Sequence, residues 1–214
     1  VILTAHQTAY LPWGGLINKI LQADAFCNFN AVRFSPKAFE NRNYIKGANG
    51  KILLTVPVKG GRDQLIKDVE IVDSNWRSKH AKSIQLAYCK KPYFKEYWPF
   101  FEDVYSRKWQ LLDELNEYIL KHLLHVLNIN VTYYKASNYN FKGLKSDLVL
   151  DMCKVLKSDC YIFGGEGKNY CDIEAFEKAG VKPIFQEYQD KNDNLSVIDL
   201  LFNHGDRSLE ILKN

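Results

Sequence analysis

The rhythm of apolar and polar positions changes several times along this chain, and each change marks an element. Residues 1–5 (VILTA) form an apolar run suited to a buried strand. Residues 13–23 place Leu16, Ile17, Ile20 and Leu21 at helical spacing. Residues 25–34 (AFCNFNAVRF) alternate and predict a second strand. A strand, a helix and a strand within about thirty residues form a βαβ unit, so the sheet is expected to be parallel here. Residues 43–58 (NYIKGANGKILLTVPV) carry Asn49-Gly50 between two alternating runs, a strong hairpin signal. A short strand follows at 68–72. Three helices are then expected at 76–89, 93–108 and 111–127, broken first at Lys91-Pro92. Pro99 either kinks the second or starts it. The last third alternates again, with strands at 130–135, 160–163 and 182–188. Helices are expected at 145–156, at 173–179 (ended by Gly180) and at 197–202. The stretch QDKNDN at 189–194 is a polar loop.

This pattern predicts an α/β fold in one domain spanning 1–214: a Rossmann-like, mainly parallel sheet flanked by helices. A β-hairpin is inserted at about 40–72 and a helical segment at about 76–127. No repeat or low-complexity segment interrupts it.

Composition narrows the function classes. The 214 residues suffice for a core without metal or disulfide staples. A net charge of +4, with Lys spread along the chain, argues against a nucleic-acid surface and leaves room for a small anionic ligand. The five Cys lack close pairs, so neither a disulfide framework nor a zinc knuckle is expected, and buried thiols in a reducing compartment are. No signal-like segment and no run of 18 apolar residues is present, which makes the cytoplasm the expected location.

Candidate chemistry follows from position. In open α/β sheets ligands bind beyond the carboxyl ends of the strands. The first strand ends near Ala5, so His6 and Gln7 would project into that crevice. The next helix offers free N–H groups to an anion, with Gly14 and Gly15 allowing close approach. His6 could act as acid, base or phosphate donor. The segment is not a P-loop, since it lacks the Lys-Ser/Thr ending and the spacing. Arg42 between Asn41 and Asn43 offers several donors for a carboxylate or phosphate. Arg77 and His80 lie three apart at a helix start behind Ser74 as cap. The run Phe163-Gly164-Gly165-Glu166-Gly167-Lys168-Asn169-Tyr170 follows a strand, where Lys168 and Tyr170 could reach a phosphate or sugar and Glu166 could be a base. Asp199 shares a helix face with Ser196 and Asn203. His122 and His125 lack a completing carboxylate pattern and are read as packing residues, so no metal site is expected.

These stretches together resemble the WbqC-like protein family over nearly the whole chain. The resemblance rests on HQTAYLPW at 6–13, Gly15 with Lys19 and Asp24, and FENRNYIKG at 39–47. It continues through LTVPV at 54–58, WRSKH at 76–80, PYF at 92–94, GKNY at 167–170 and SVIDLLFNHG at 196–205. Thr8 stands where the family usually has Pro, and Cys171 where an aliphatic residue is usual, which marks Cys171 as packing. The first strand, His loop and helix also look like the nucleotidylyltransferase superfamily. The Gly-Gly-Glu-Gly-Lys loop is loosely similar to its amide-forming ligases, but the superfamily's second histidine is missing.

The family resemblance implies work in bacterial surface-polysaccharide and O-antigen biosynthesis. The expected activity is a transferase or amide-forming ligase, moving an acyl or aminoacyl group on a nucleotide-activated amino sugar. In it His6 and Glu166 would be catalytic. Gln7, Tyr10, Asn41, Arg42, Asn43, Arg77, His80, Lys168, Tyr170 and Asp199 would bind a phosphate-containing small molecule. No cofactor is required by the sequence, though ATP or an acyl donor fits such chemistry. The rivals are a non-catalytic sugar-nucleotide binder and an assembly subunit of a polysaccharide complex. No nucleic-acid or membrane-spanning partner is expected, and aromatics at 93–101 would suit a homodimer contact. An enzyme or a carrier built on these residues should converge His6, Arg42, Arg77 and Lys168 on one pocket; their scatter over more than one face would sink both together.

Overall fold

The computed structural model describes residues 1–213. In chain order it contains β1 (Ile2–His6), α1 (Gly14–Leu21), β2 (Ala25–Asn28), β3 (Arg42–Gly47), β4 (Gly50–Thr55), β5 (Val58–Lys59) and β6 (Glu70–Ile71). Then come α2 (Trp76–Tyr88), α3 (Phe94–Ser106), α4 (Leu112–Val126), β7 (Thr132–Lys135) and α5 (Ser146–Val155). The chain closes with β8 (Cys160–Phe163), α6 (Ile173–Lys178), β9 (Lys182–Phe185), α7 (Ile198–His204) and α8 (Ser208–Lys213).

Five strands form one parallel sheet in the order β7-β2-β1-β8-β9. Counting only these strands along the chain, the order is third, second, first, fourth, fifth. The winding therefore reverses between β1 and β8. Both faces of the sheet are covered. One packs Phe26 against Leu16, Ile17 and Ile20 of α1 and the leucines of α4, within a large cluster that extends through α2, α3 and α7. The other packs Leu3, Cys27, Tyr161 and Phe163 against Val149, Leu150 and Cys153 of α5 and Phe176 of α6. Coverage on both sides explains why the strands are apolar runs.

The hairpin forms as the sequence predicts, β3 and β4 pairing antiparallel with Gly47 opposite Gly50. The two loop residues are Ala48 and Asn49, and Gly50, at the start of β4, has φ +126°, which residues with a side chain rarely adopt. The ribbon β3–β4, the short pair β5–β6 and helices α2–α4 all lie between β2 and β7.

Several boundaries differ from expectation. The second strand stops at Asn28, because the Asn28 amide turns inward to donate to Asp113 Oδ1 at 2.7 Å and Asn30 binds Oδ2 of the same carboxylate at 2.8 Å. Pro99 lies inside α3. Asn75, not Ser74, precedes α2, with no side-chain cap. Helix α8, six residues long, carries too short a period to be read from sequence. Cys27, Cys153 and Cys160 are buried, whereas Cys89 is exposed at the end of α2 and Cys171 is half-buried. His122 stacks on Phe100, ring centroids 3.5 Å apart. Among the described residues no helix is long and apolar enough to cross a membrane.

Candidate functional site

Outside the carboxyl ends of β1 and β8, at the reversal of winding, lies a cavity of about 400 Å³. This is where open α/β sheets bind ligands, and the size suits a small molecule. Its lining includes His6, Gln7, Trp13, Lys19, Glu166, Tyr170 and Gln186.

His6 ends β1. Its Nδ1 is 2.7 Å from the Gln7 carbonyl oxygen. A carbonyl only accepts, so Nδ1 carries the proton and Nε2 keeps a lone pair. The ring meets Trp13 edge-on, with centroids 5.3 Å apart. Burial, and secondly the charge of Lys19, push the imidazole pKa down to about 3, against the Gln7 bond. His6 is therefore neutral at pH 7.

Lys19 sits on α1, whose first residue Gly14 follows the bridge between Trp13 and Ser196 and has no side-chain cap before it. Its side chain is only 4% exposed. Nζ donates to the Ala5 carbonyl at 3.0 Å, and burial pushes its pKa down to about 8 with no acid opposing the shift. Among the described residues no carboxylate pairs with it. Gln186, at the end of β9, fixes the wall by donating to the Gly15 carbonyl at 2.8 Å and to Asn18 Oδ1 at 2.6 Å.

The opposite rim is the turn Gly165–Asn169, which follows β8. Glu166 accepts from Asn169 at 2.6 Å and is exposed. Tyr170 lines the cavity, and Lys168 places Nζ 5.8 Å from the centroid of the Phe185 ring.

Thus His6, Gln7, Glu166 and Tyr170 come together, with Lys168 on the same turn. The other proposed binders lie apart from this cavity. Tyr10 is fully buried, its hydroxyl 2.7 Å from His80 Nδ1 and 2.6 Å from the Tyr105 hydroxyl. Burial pushes the His80 pKa down to about 4. Asn41 donates to the Val56 carbonyl at 2.9 Å, and Arg42 to the Lys37 carbonyl. Asn43 donates to the Leu11 carbonyl at 2.6 Å. Leu11 has φ +47°, so Asn43 braces the strained bend of the segment that carries His6 to α1. Arg77 pairs with Asp73 at 3.2 Å beside a different groove. Asp199 accepts from the Tyr88 hydroxyl at 3.0 Å. The convergence of His6, Arg42, Arg77 and Lys168 on one pocket is not realised.

Sequence reasoning missed Lys19 and Gln186 as site residues. A lysine beside Leu16 and Ile20 reads as the polar edge of an amphipathic helix. Only the strand in front of it makes it buried. Thr8, in the position usual for Pro, is fully buried and donates to Asp113 Oδ1 at 3.4 Å, which ties the loop to the head of α4.

Comparison with known proteins identifies the family. An uncharacterized protein of Mycobacterium tuberculosis, Rv1507c, is 24% identical over 220 residues, covering 97% of this chain and 95% of the relative. The profile of the WbqC-like protein family matches residues 7–211, from Gln7 to the last helix, and the chain belongs to that family.

Proposed function

We propose that this protein is a transferase or ligase whose nucleotide-activated amino-sugar substrate binds in the switch-point cavity. One observation carries the reading: Lys19, a buried ammonium with no acid partner among the described residues, lines this cavity beside a neutral His6. A buried charge without a counter-ion is costly, and an anionic ligand would complete it. Phosphate would pair with Lys19 Nζ, whose one hydrogen bond among the described residues is to the neutral Ala5 carbonyl. His6 Nε2 would accept a hydrogen bond from the reacting part of the substrate. Because Lys19 helps hold its pKa down, a bound anion would raise it toward the range useful for proton transfer. Arg42 and Arg77 have no part in this seat and Lys168 would reach it only from the rim, so an enzyme or carrier built on those four residues falls, and the reading stands on Lys19 with His6 instead. The name of the family points toward surface-polysaccharide assembly. A binder without chemistry is the second reading, favoured by the turning of Glu166 toward Asn169 at the exposed rim.

Thermal-shift screening against nucleotide sugars, ATP, acyl-CoAs and amino acids tests it. A nucleotide sugar is expected to raise the melting temperature of the wild type. The rise should vanish in Lys19→Met and shrink in His6→Ala. No rise with any phosphate-bearing compound overturns the proposal.

A further inference from the structure

A second cavity, of about 320 Å³, lies on the other side of the partition made by His6, Gln7 and Trp13. Its lining includes Glu40, a residue to which nothing above assigns a role. Glu40 is 6% exposed. Its Oε2 is buried and meets no hydrogen-bond donor. Burial raises the carboxyl pKa; only the backbone N–H groups of Glu40 itself and of Ser35 oppose the shift, and no basic side chain does. The side walls are aromatic: Trp13 and Phe39 stand with ring centroids 5.4 Å apart. A lone acid in an aromatic enclosure has the chemistry of an ammonium site, the carboxylate taking N–H donors and the ring faces taking the remaining charge.

We propose that this cavity is a primary-amine subsite, with the Glu40 carboxylate as the acceptor and Trp13 and Phe39 as its walls. The two cavities thus hold uncompensated buried groups of opposite sign, Lys19 and Glu40, with His6 between them. The amine would be that of the amino sugar whose phosphate is seated at Lys19 in the first cavity, and only this identification rests on the proposed function. The subsite itself stands on binding alone.

Titration calorimetry of the full chain with glucosamine, and with glucose and N-acetylglucosamine as uncharged controls, tests it. Glucosamine is expected to bind the wild type at least about tenfold more tightly than either control. Glu40→Gln, of equal shape, should remove that preference. Phe39→Leu, at a side chain 42% exposed and so outside the core, should weaken glucosamine several-fold and leave the controls unchanged. If Glu40→Gln fails to fold, the wild-type preference and Phe39→Leu decide. Equal binding of glucosamine and glucose, or a preference that survives both substitutions, overturns the subsite. A nucleotide-sugar thermal shift without Glu40-dependent amine binding overturns the subsite alone. Glu40-dependent amine binding without any nucleotide-sugar shift supports the subsite and overturns the proposed function.

Discussion

Lys19 is held against its own preference. A lysine whose pKa falls to about 8 on burial destabilises the fold in its empty state. Replacing it with an apolar chain of similar length removes that cost. Lys19→Met is therefore expected to be more stable than the wild type by about 1–3 kcal/mol without ligand, as measured by urea unfolding at pH 7. The same variant should lose its ligand-induced thermal shift. A loss of stability instead would mean that the ammonium is satisfied within the fold and awaits no ligand. At this scale the sequence is legible where chemistry follows strand position, as for His6 and Gln7. It misleads where donors are consumed internally. Asn43 and His80 have binding-site chemistry, yet each spends its hydrogen bonds on Leu11 or Tyr10. No spacing rule announces that, because the partners lie tens of residues away.

Among the elements, the turn Gly165–Asn169 shows how local sequence shapes the cavity. A Cβ on Gly167 would come within 2.4 Å of Phe163 Cβ, so the turn lies flat on the end of β8 only because no side chain intervenes. Gly167→Ala should lift the turn from Phe163. The expected cost is about 1–3 kcal/mol in urea unfolding, with weakened ligand binding in the thermal-shift assay. An unchanged midpoint and unchanged binding would show that the turn is free to move. Elements with strong local signals were readable: the Asn-Gly hairpin, the helices α2, α3 and α4, and the stop of α6 at Gly180, where φ is +73°. The overlong second strand was not. Its alternation continues past Asn28, but the Asp113 carboxylate captures the chain there, a long-range bond that no local pattern encodes.

The whole molecule carries three histidines that burial keeps neutral. The pKa falls to about 3 for His6, about 4 for His80 and about 4 for His122. Below the unfolded value of about 6.5 the unfolded chain takes up protons that the folded chain refuses. Stability from these groups is thus complete above about pH 6.5 and declines as pH falls toward 4. His80 is 5% exposed and should account for about 2 kcal/mol of the loss between pH 7 and pH 5. His80→Gln should be less stable at pH 7, having lost part of the Tyr10 network, yet should lose about 2 kcal/mol less on acidification. Equal acid losses in the two proteins would place the titration elsewhere. The fold class was legible at this scale, since alternating strands and helices leave few topologies. The position of the switch point follows from that order, and with it the cavity.

The position of β1 also sets a timetable for biosynthesis. This strand is flanked by β2 and β8, and Thr4 Oγ1 donates to the Ile162 carbonyl across 158 residues of sequence. A ribosome delivers β2 almost at once, but it delivers β8 only after the hairpin and the helices α2–α5, on the order of ten seconds later. Until then the central strand of the sheet presents an unpaired edge, and the crevice beside His6 has one wall. The nascent chain must keep that edge from strangers while the hairpin and helices are made, so a ligand of this crevice would stabilise only a chain that has reached β8.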